Sequence, residues 1–319
     1  MKKLISLVLA AILVFSALGA FTSCGEDVYL VGICQLVQHE ALDAATNGFK
    51  QALQDKLGDK VAFIEQNASN DPATCTTICN QLIASDVDLI LANATPAMTA
   101  AASATNKIPI LGTSITDFAS ALDIKDWNGA TGKNISGTSD LAPLAEQAEI
   151  LKTLCPVGEY KTVGILYCSG ESNSLYQVKV ITPILNDLGY DVKAFSFSDT
   201  NDVSAVAQVA CNECDVLYIP TDNTAALCAD AIGSIALNAE VPIIAGEEGI
   251  CRKCGVATLS INYYNIGYEA GLMAFEILAN GADVSTMQIR FDASPVKEYN
   301  KTIADKLGIT VPSDFVEIK

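Results

Sequence analysis

The sequence is poor in basic side chains and in catalytic motifs. Its 319 residues include only two arginines, Arg252 and Arg290, and one histidine, His39, and the formal net charge is −18. Such a surface repels nucleic acid and anionic lipid, so we expect no nucleic-acid partner. The chain has no Gly-x-Ser-x-Gly elbow, phosphate-binding glycine loop or His-Glu-x-x-His helix, the patterns that position nucleophiles, phosphates and zinc. We therefore expect no enzyme, no catalytic or metal-binding residues and no cofactor.

Long apolar runs are also missing, except at the start. Basic Lys2 and Lys3 precede an uncharged apolar stretch over residues 4–18, and small residues follow up to Cys24. At about 15 residues this stretch is too short to span a membrane comfortably, and the layout predicts an export signal over residues 1–23. A cysteine at the junction resembles the lipobox of bacterial lipoproteins, which implies cleavage before Cys24 and its acylation. Ordinary cleavage after Ala20 is the alternative.

The remaining 296 residues have the composition of a packed protein with two lobes of ordinary domain size. Short apolar runs alternate with helical patterns, and such runs are typical of buried parallel strands. One helix is predicted to start at the Asp71-Pro72 pair, and another to end at Gly281. The predicted strands cover residues 28–34, 61–65, 87–92, 108–112, 162–168, 192–197, 216–220, 241–245 and 256–261.

This alternation predicts an α/β fold in which each of two lobes is a parallel sheet flanked by helices. The alternation lapses between residues 116 and 141, where glycine, asparagine and aspartate are frequent. We place the boundary between the lobes there, and later crossings of the chain make a hinged clamp. The predicted lobes are residues 28–138 with 262–290, and residues 139–261 with 291–319.

Cysteine is frequent, with 11 residues in the chain. Two Cys-x-x-Cys pairs, Cys211 with Cys214 and Cys251 with Cys254, have the spacing of zinc ligands, but the long spacer and the lack of glycine-rich turns argue against zinc. Disulfides remain an alternative in an exported protein. Because buried free cysteine behaves as a small hydrophobe, we expect the ten beyond Cys24 to be mainly core residues.

Polar side chains collect where the predicted strands end and the helices begin. Ligands of open parallel sheets bind at this edge. The turns there contain no Lys or Arg but include Asp117, Glu171, Asp222, Glu247 and Glu248. Carboxylates favour a cationic ligand group, and the helix start at residues 172–174 offers groups that hold a carboxylate. The turns therefore predict a zwitterion such as an amino acid, with simple helix capping as the alternative for any single residue.

Several segments form an informative set in their order along the chain. They are residues 37–43, 48–49, 93–97, 113–117, 136–140, 172–174, 200–203, 220–224, 245–248 and 261–264. Together they resemble the ABC-transporter substrate-binding proteins of the tryptophan and tyrosine type. The resemblance implies a type I periplasmic-binding fold with three hinge crossings and no catalysis. Aromatic amino acids are the best-known ligands of that family.

The resemblance also implies roles for particular residues. The ligand carboxylate is expected at Ser172, Asn173 and Ser174. Its ammonium is expected at Asp222 with Asn223, and Glu247 is a second candidate. Contacts from the first lobe are expected from Gln38, His39, Thr95, Thr113 and Ser114.

We therefore expect a monomeric, extracytoplasmic lipoprotein, anchored in the bilayer through Cys24, that binds an aromatic amino acid in the cleft between its lobes. Its partners are expected to be the permease and the ATPase of an ABC importer. The alternatives are a nucleoside or other small-solute binder on the same fold, and a ligand-sensing lipoprotein.

Overall fold

A computed structural model describes residues 28–292 and 294–319. The predicted signal peptide and Cys24 lie outside these residues. Within the described ranges, no helix is both long and apolar enough to cross a membrane.

The first sheet has six strands, all parallel, in the spatial order β11-β5-β4-β3-β1-β2. Four helices connect its first five strands and a fifth returns to it from later in the chain. The strands are β1 (Tyr29–Gln35), β2 (Val61–Asn67), β3 (Leu89–Asn93), β4 (Ile110–Ile115), β5 (Ile135–Ser139) and β11 (Arg290–Phe291). The helices are α1 (Glu40–Leu57), α2 (Pro72–Ala84), α3 (Thr95–Ala104), α4 (Phe118–Ala121) and α10 (Tyr263–Asn280), with short 3-10 turns at Gly58–Lys60 and Val284–Thr286.

The second sheet has seven strands in the order β13-β12-β10-β9-β8-β6-β7. All neighbours are parallel except β12, which runs antiparallel to β10. The strands are β6 (Thr162–Cys168), β7 (Asp191–Phe197), β8 (Val216–Ile219), β9 (Ile243–Ala245), β10 (Ala257–Ser260), β12 (Val296–Tyr299) and β13 (Val316–Glu317). The helices are α5 (Leu144–Leu154), α6 (Ser172–Asp187), α7 (Val203–Glu213), α8 (Asn223–Asn238), α9 (Glu248–Cys254) and α11 (Lys301–Leu307).

The chain passes between the sheets three times, after β5, after β10 and after β11. This arrangement confirms the predicted fold of two mainly parallel sheets flanked by helices. Strands β5 and β11 each extend one residue past the predicted lobe boundaries, to Ser139 and Phe291. The lobe limits themselves stay a proposal.

Helix α10 returns to the first sheet and packs closely on α1. A Cβ atom added at Gly48 would lie 2.1 Å from the carbonyl oxygen of Tyr264, and one at Gly267 would lie 2.0 Å from that of Ala45. Glycine is required where these two helices touch, because their backbones approach within the space of a methyl group. The helix that follows the second passage of the chain between the sheets is thereby fixed to the first lobe.

Helix ends follow the predicted signals. Asp71 caps α2 by accepting hydrogen bonds from the backbone N–H groups of Ala73 and Thr74, as expected of an N-cap aspartate. Gly281 ends α10 in the left-handed conformation, with φ of 66°, where glycine meets no Cβ penalty.

All nine predicted strands are present, with ends shifted by up to three residues. The predicted lapse of the alternation between residues 116 and 141 is incomplete, because β5 lies inside that stretch. Its sequence ISGTS is small and polar, yet every residue is buried. Hydroxyl groups explain this burial: Ser136 donates to the carbonyl of Met287 (3.0 Å) and Thr138 donates to the hydroxyl of Thr113 (3.0 Å).

Nine of the ten described cysteines are buried and Cys228 is partly buried, and all ten are free thiols. Cys34, Cys75 and Cys79 share one hydrophobic cluster of the first lobe. Over residues 28–292 and 294–319, no group of three or more His, Cys, Asp or Glu side chains is arranged to hold a metal ion. The thiols therefore pack as hydrophobic core residues.

Candidate functional site

The carboxyl ends of the two sheets face each other and are joined by hydrogen bonds. Asn70 of the first lobe donates to the hydroxyl of Thr224 (3.1 Å), and His39 Nε2 lies 3.2 Å from Asn223 Oδ1. At the rim of the cleft, the guanidinium of Arg252 pairs with Glu40 at 3.0 Å. The lobes are therefore closed on each other.

Between the lobes lies a cavity of about 10 Å³, enough for about one water molecule. An amino acid is far larger, so a ligand reaches this point only when the lobes separate and the lining shifts. The lining consists of His39, Leu42, Ser114, Thr116, Asp140, Asn173, Thr221, Asp222, Asn223, Ala226, Glu247 and Tyr263. It contains no lysine or arginine.

Asp222 reaches the cavity from the start of α8, where it is the N-cap. Its carboxylate accepts from the backbone N–H groups of Cys168 (2.6 Å) and Ala225 (2.8 Å) and from the hydroxyl of Ser174 (2.7 Å). Burial, followed by the charge of Glu171, raises the pKa of Asp222 to about 7. An ammonium group placed beside it would favour its ionised form.

Glu247 occupies the equivalent position at the start of α9. It accepts from the backbone N–H groups of Gly249 (2.7 Å) and Ile250. Burial raises its pKa to about 7 against these bonds. Each of its oxygens retains a lone pair beyond the capping bond.

Asp140 is the third carboxyl of the cavity and comes from the crossing after β5. It accepts hydroxyl hydrogen bonds from Thr116 (3.0 Å) and Tyr263 (3.1 Å). Burial raises its pKa to about 6. Three carboxyl groups in a lining without lysine or arginine favour a cationic group in this cavity.

The first lobe supplies hydroxyl donors opposite these acids. Thr95 Oγ1 and Ser114 Oγ are both buried and find no hydrogen-bond partner within the described part of the chain. Thr95 is the first residue of α3, whose N-terminus has no side-chain cap. Unpaired hydroxyls beside an uncapped helix start can bind a carboxylate.

His39 closes the first-lobe side of the cavity. Because the amide nitrogen of Asn223 donates to Glu171 (2.7 Å), its Oδ1 faces the imidazole and accepts from Nε2. Burial lowers the pKa of His39, which the Asn223 bond and the charge of Glu171 partly oppose. Glu171 itself lies behind this layer and accepts from the N–H and hydroxyl of Thr224, so it supports the wall of the site.

Six of the eleven predicted ligand residues line this one cavity: His39, Ser114, Asn173, Asp222, Asn223 and Glu247. Thr95 and Ser172 line a neighbouring cavity of about 10 Å³, which shares Asn173 with the first and is also bordered by Asp117, Ser120, Ala121 and Tyr176. Gln38 is exposed, outside both linings.

The predicted carboxylate segment is largely engaged inside the second lobe. Ser174 donates to Asp222, and the amide nitrogen of Asn173 donates to Glu171 (3.0 Å) and to the carbonyl of Thr221 (3.2 Å). The oxygen of Asn173 is buried without a partner in the described chain. This segment therefore presents a hydrogen-bond acceptor to the cavity, whereas the sequence indicated hydrogen-bond donors. Thr113 lies behind the cavity, bonded to Thr138.

Sequence reasoning missed Asp140, Thr116, Thr221 and Tyr263 as lining residues. Asp140 and Tyr263 lie within matching segments of the family resemblance, which was the available signal. Their contact joins residues 123 positions apart, and only the crossing geometry brings them together.

The chain is similar to known substrate-binding proteins along most of its length. The family described as ABC transporter substrate binding protein matches residues 30–317. A tyrosine-binding protein of Clostridioides difficile is 34% identical, over 87% of this chain and 84% of that protein. An ABC domain from Streptococcus pneumoniae in complex with L-Trp is 30% identical, with a TM-score of 0.85, over 90% of this chain and 97% of that one.

A ligand-free, open structure of a substrate-binding protein with adhesive properties from Clostridium difficile is 35% identical. The match covers 92% of this chain and 100% of that one, with a TM-score of 0.69. Although its identity is higher, its likeness in shape is lower than that of the L-Trp complex. This difference agrees with the closed arrangement of the lobes.

Proposed function

Because the chain belongs to the ABC transporter substrate-binding protein family and is thus a binding protein and not an enzyme, we propose that it captures an aromatic amino acid for an ABC importer. The observation that carries the proposal is the cavity between the lobes, whose lining has three buried carboxyl groups and no lysine or arginine. The ligands of two relatives, tyrosine and L-Trp, support the choice of amino acid.

The charges favour one orientation of the ligand. Its ammonium is placed against Asp222, Glu247 and Asp140, because a buried carboxylate gains most from a cation. Its carboxylate is placed against Ser114, Thr95 and the start of α3, whose hydroxyls are otherwise unpaired. This orientation revises the expectation that residues 172–174 hold the carboxylate.

Capture proceeds by closure of the lobes around the ligand. A ligand shifts the open–closed equilibrium only by its preference for the closed form. Here that preference comes from the ammonium, which neutralises carboxyl groups that closure removes from water. The closed form is then the one that docks on the membrane permease, whose ATPase drives uptake.

The extracytoplasmic, lipid-anchored location belongs to the same proposal and rests on the sequence around Cys24. A single acyl chain gives only marginal membrane binding, and the several chains of a lipoprotein anchor firmly. Metabolic labelling with palmitate should mark the intact protein in membranes and not a Cys24→Ser variant. Equal labelling of both would refute the anchor.

Thermal unfolding of the ligand-stripped protein against the common amino acids and several nucleosides tests the ligand. At about 100 times its dissociation constant a ligand adds about 2.7 kcal/mol, which raises the midpoint by roughly 5 °C for a chain of this size. We expect shifts with tryptophan, tyrosine or phenylalanine. Shifts with nucleosides alone, or with nothing in the panel, would refute the aromatic ligand.

Asp222→Asn should abolish most of the ligand-induced shift. The matched control is Asp71→Asn, which alters the cap of another helix and leaves the cavity intact. Loss of the shift in both variants would show that the effect is one of helix capping and not of ligand recognition.

A further inference from the structure

The three crossings between the lobes are tied together by two carboxylates. Asp140, in the first crossing, accepts from the hydroxyl of Tyr263 at 3.1 Å, and Tyr263 is the first residue of α10, directly after the second crossing. Asp292, in the third crossing, accepts from the backbone N–H of Asn262 at 2.8 Å. The second crossing is thus bonded to both of the others.

Only one of these two carboxylates faces the ligand cavity. Asp140 and Tyr263 both line it, and Asp292 does not. Asp140 is also fixed to the first sheet, because its N–H donates to the carbonyl of Ile115 (3.1 Å) and its carboxylate accepts from Thr116 (3.0 Å). A charged ligand group in the cavity therefore lies close to the hinge at Asp140.

We propose that Asp140 is a positioning residue through which the ammonium of the ligand acts on the hinge, an inference that rests on the proposed function. An ionised carboxylate accepts shorter and stronger hydrogen bonds than a neutral one. A cation in the cavity offsets the cost of burying the ionised Asp140, so the carboxylate keeps its strong bonds to Thr116 and Tyr263 as the lobes close. These bonds hold the first two crossings in the geometry of the closed lobes.

Tyr263→Phe is the sharpest test, because it removes one hydroxyl and leaves the carboxylate in place. Its matched control is Tyr268→Phe on the same helix, whose hydroxyl donates to the exposed Asp55 at 3.1 Å and which lies outside the cavity lining. Binding of L-tryptophan and L-tyrosine is measured by calorimetry, and compaction at saturation by small-angle X-ray scattering.

We expect Tyr268→Phe to match the unmodified protein. Tyr263→Phe should bind about 10-fold or more weakly, the effect of a lost bond to a charged group, and should stay partly open at ligand saturation. Full compaction at saturation in Tyr263→Phe would overturn the inference even if affinity fell, because a lost ligand contact alone leaves the closed form unchanged.

Failure of the proposed function is seen separately, as absence of any ligand response in the unmodified protein. The hinge role of Tyr263 and Asp140 is then judged without ligand by hydrogen exchange. Tyr263→Phe and Asp140→Asn should each exchange the amides of Leu141 and Asn262 several-fold faster than Tyr268→Phe does. Equal rates in all three variants would overturn the inference.

Discussion

Acidification should close the lobes of the ligand-free protein. In the closed form the pKa of Asp222 and that of Glu247 are both raised to about 7 by burial. A solvated aspartate or glutamate has a pKa of about 4. Each pKa is thus higher in the closed form than in an open form that wets the carboxyl, so closure takes up protons. Closure is therefore opposed above pH 7 and becomes more favourable as the pH falls.

The size of the effect follows from proton linkage. With a pKa moving from about 4.3 to about 7, closing on an ionised glutamate costs roughly 4 kcal/mol at pH 8 and roughly 3 kcal/mol at pH 6.5. Two such groups make closure easier by roughly 1–2 kcal/mol over this interval, on the order of tenfold in the open–closed equilibrium. Asp140, whose pKa is about 6, contributes mainly at lower pH.

His39 works against this trend below about pH 6.5. Its pKa is lowered by burial in the closed form, so closure releases its proton and is opposed below the ordinary histidine pKa of about 6.5. Because the carboxyl groups take up more protons than this one histidine releases, ligand-free closure should keep growing below pH 6.5, but less steeply than the carboxyl groups alone would give.

Small-angle X-ray scattering of ligand-stripped protein over this pH range measures the closed fraction. Glu247→Gln should weaken the pH dependence, because an amide cannot titrate. A matched control is Glu65→Gln, which changes an exposed carboxyl on β2 that pairs with Lys50. A radius of gyration that is constant with pH, or a dependence unaltered in Glu247→Gln, would refute the reasoning.

Three further predictions concern the ligand, the helix pair and the thiols. Asp222→Ala should lower ligand affinity by roughly 10-fold to 100-fold in calorimetry, since a charge-assisted bond contributes about 1.5–3 kcal/mol; unchanged affinity would remove Asp222 from the site. Gly48→Ala should lower the midpoint of urea unfolding, because its Cβ would lie 2.1 Å from the carbonyl oxygen of Tyr264, whereas Gly158→Ala, with no atom within 4 Å of its Cβ, should not. A thiol reagent should label Cys228 first and the nine buried cysteines only on unfolding, and fast labelling of several thiols in the native protein would contradict their core packing.

Much of the fold could be predicted because its strands are short apolar runs buried on both faces. The same local logic gave Asp71 as a cap and Gly281 as a helix end. Strand β5 was not predicted, because most of its residues are small and polar. They are buried only through hydrogen-bond partners elsewhere in the chain, such as Thr113 and Met287. Local apolarity cannot reveal a strand that is held by hydroxyl bonds.

The sequence predicted the sheet edge at which the candidate site lies, but not the contacts between its residues. Polar turns after parallel strands indicated where the ligand should lie, and six of the eleven residues line one cavity. The direction of each hydrogen bond was not readable, because it depends on neighbours in space. Ser174 is the example: its hydroxyl can donate to a ligand carboxylate, but in the structure it donates a hydrogen bond to Asp222, with 2.7 Å between the oxygens.

Helix capping and ligand binding need not be alternatives for Asp222 and Glu247. A carboxylate has about four acceptor positions, and capping uses only some of them in each residue. The helix N-terminus orients the carboxylate and favours its charge while the protein folds. Burial by the opposite lobe disfavours that charge, as the raised pKa values show. A ligand cation resolves the conflict, so the residues that begin α8 and α9 are also those that make closure depend on the ligand.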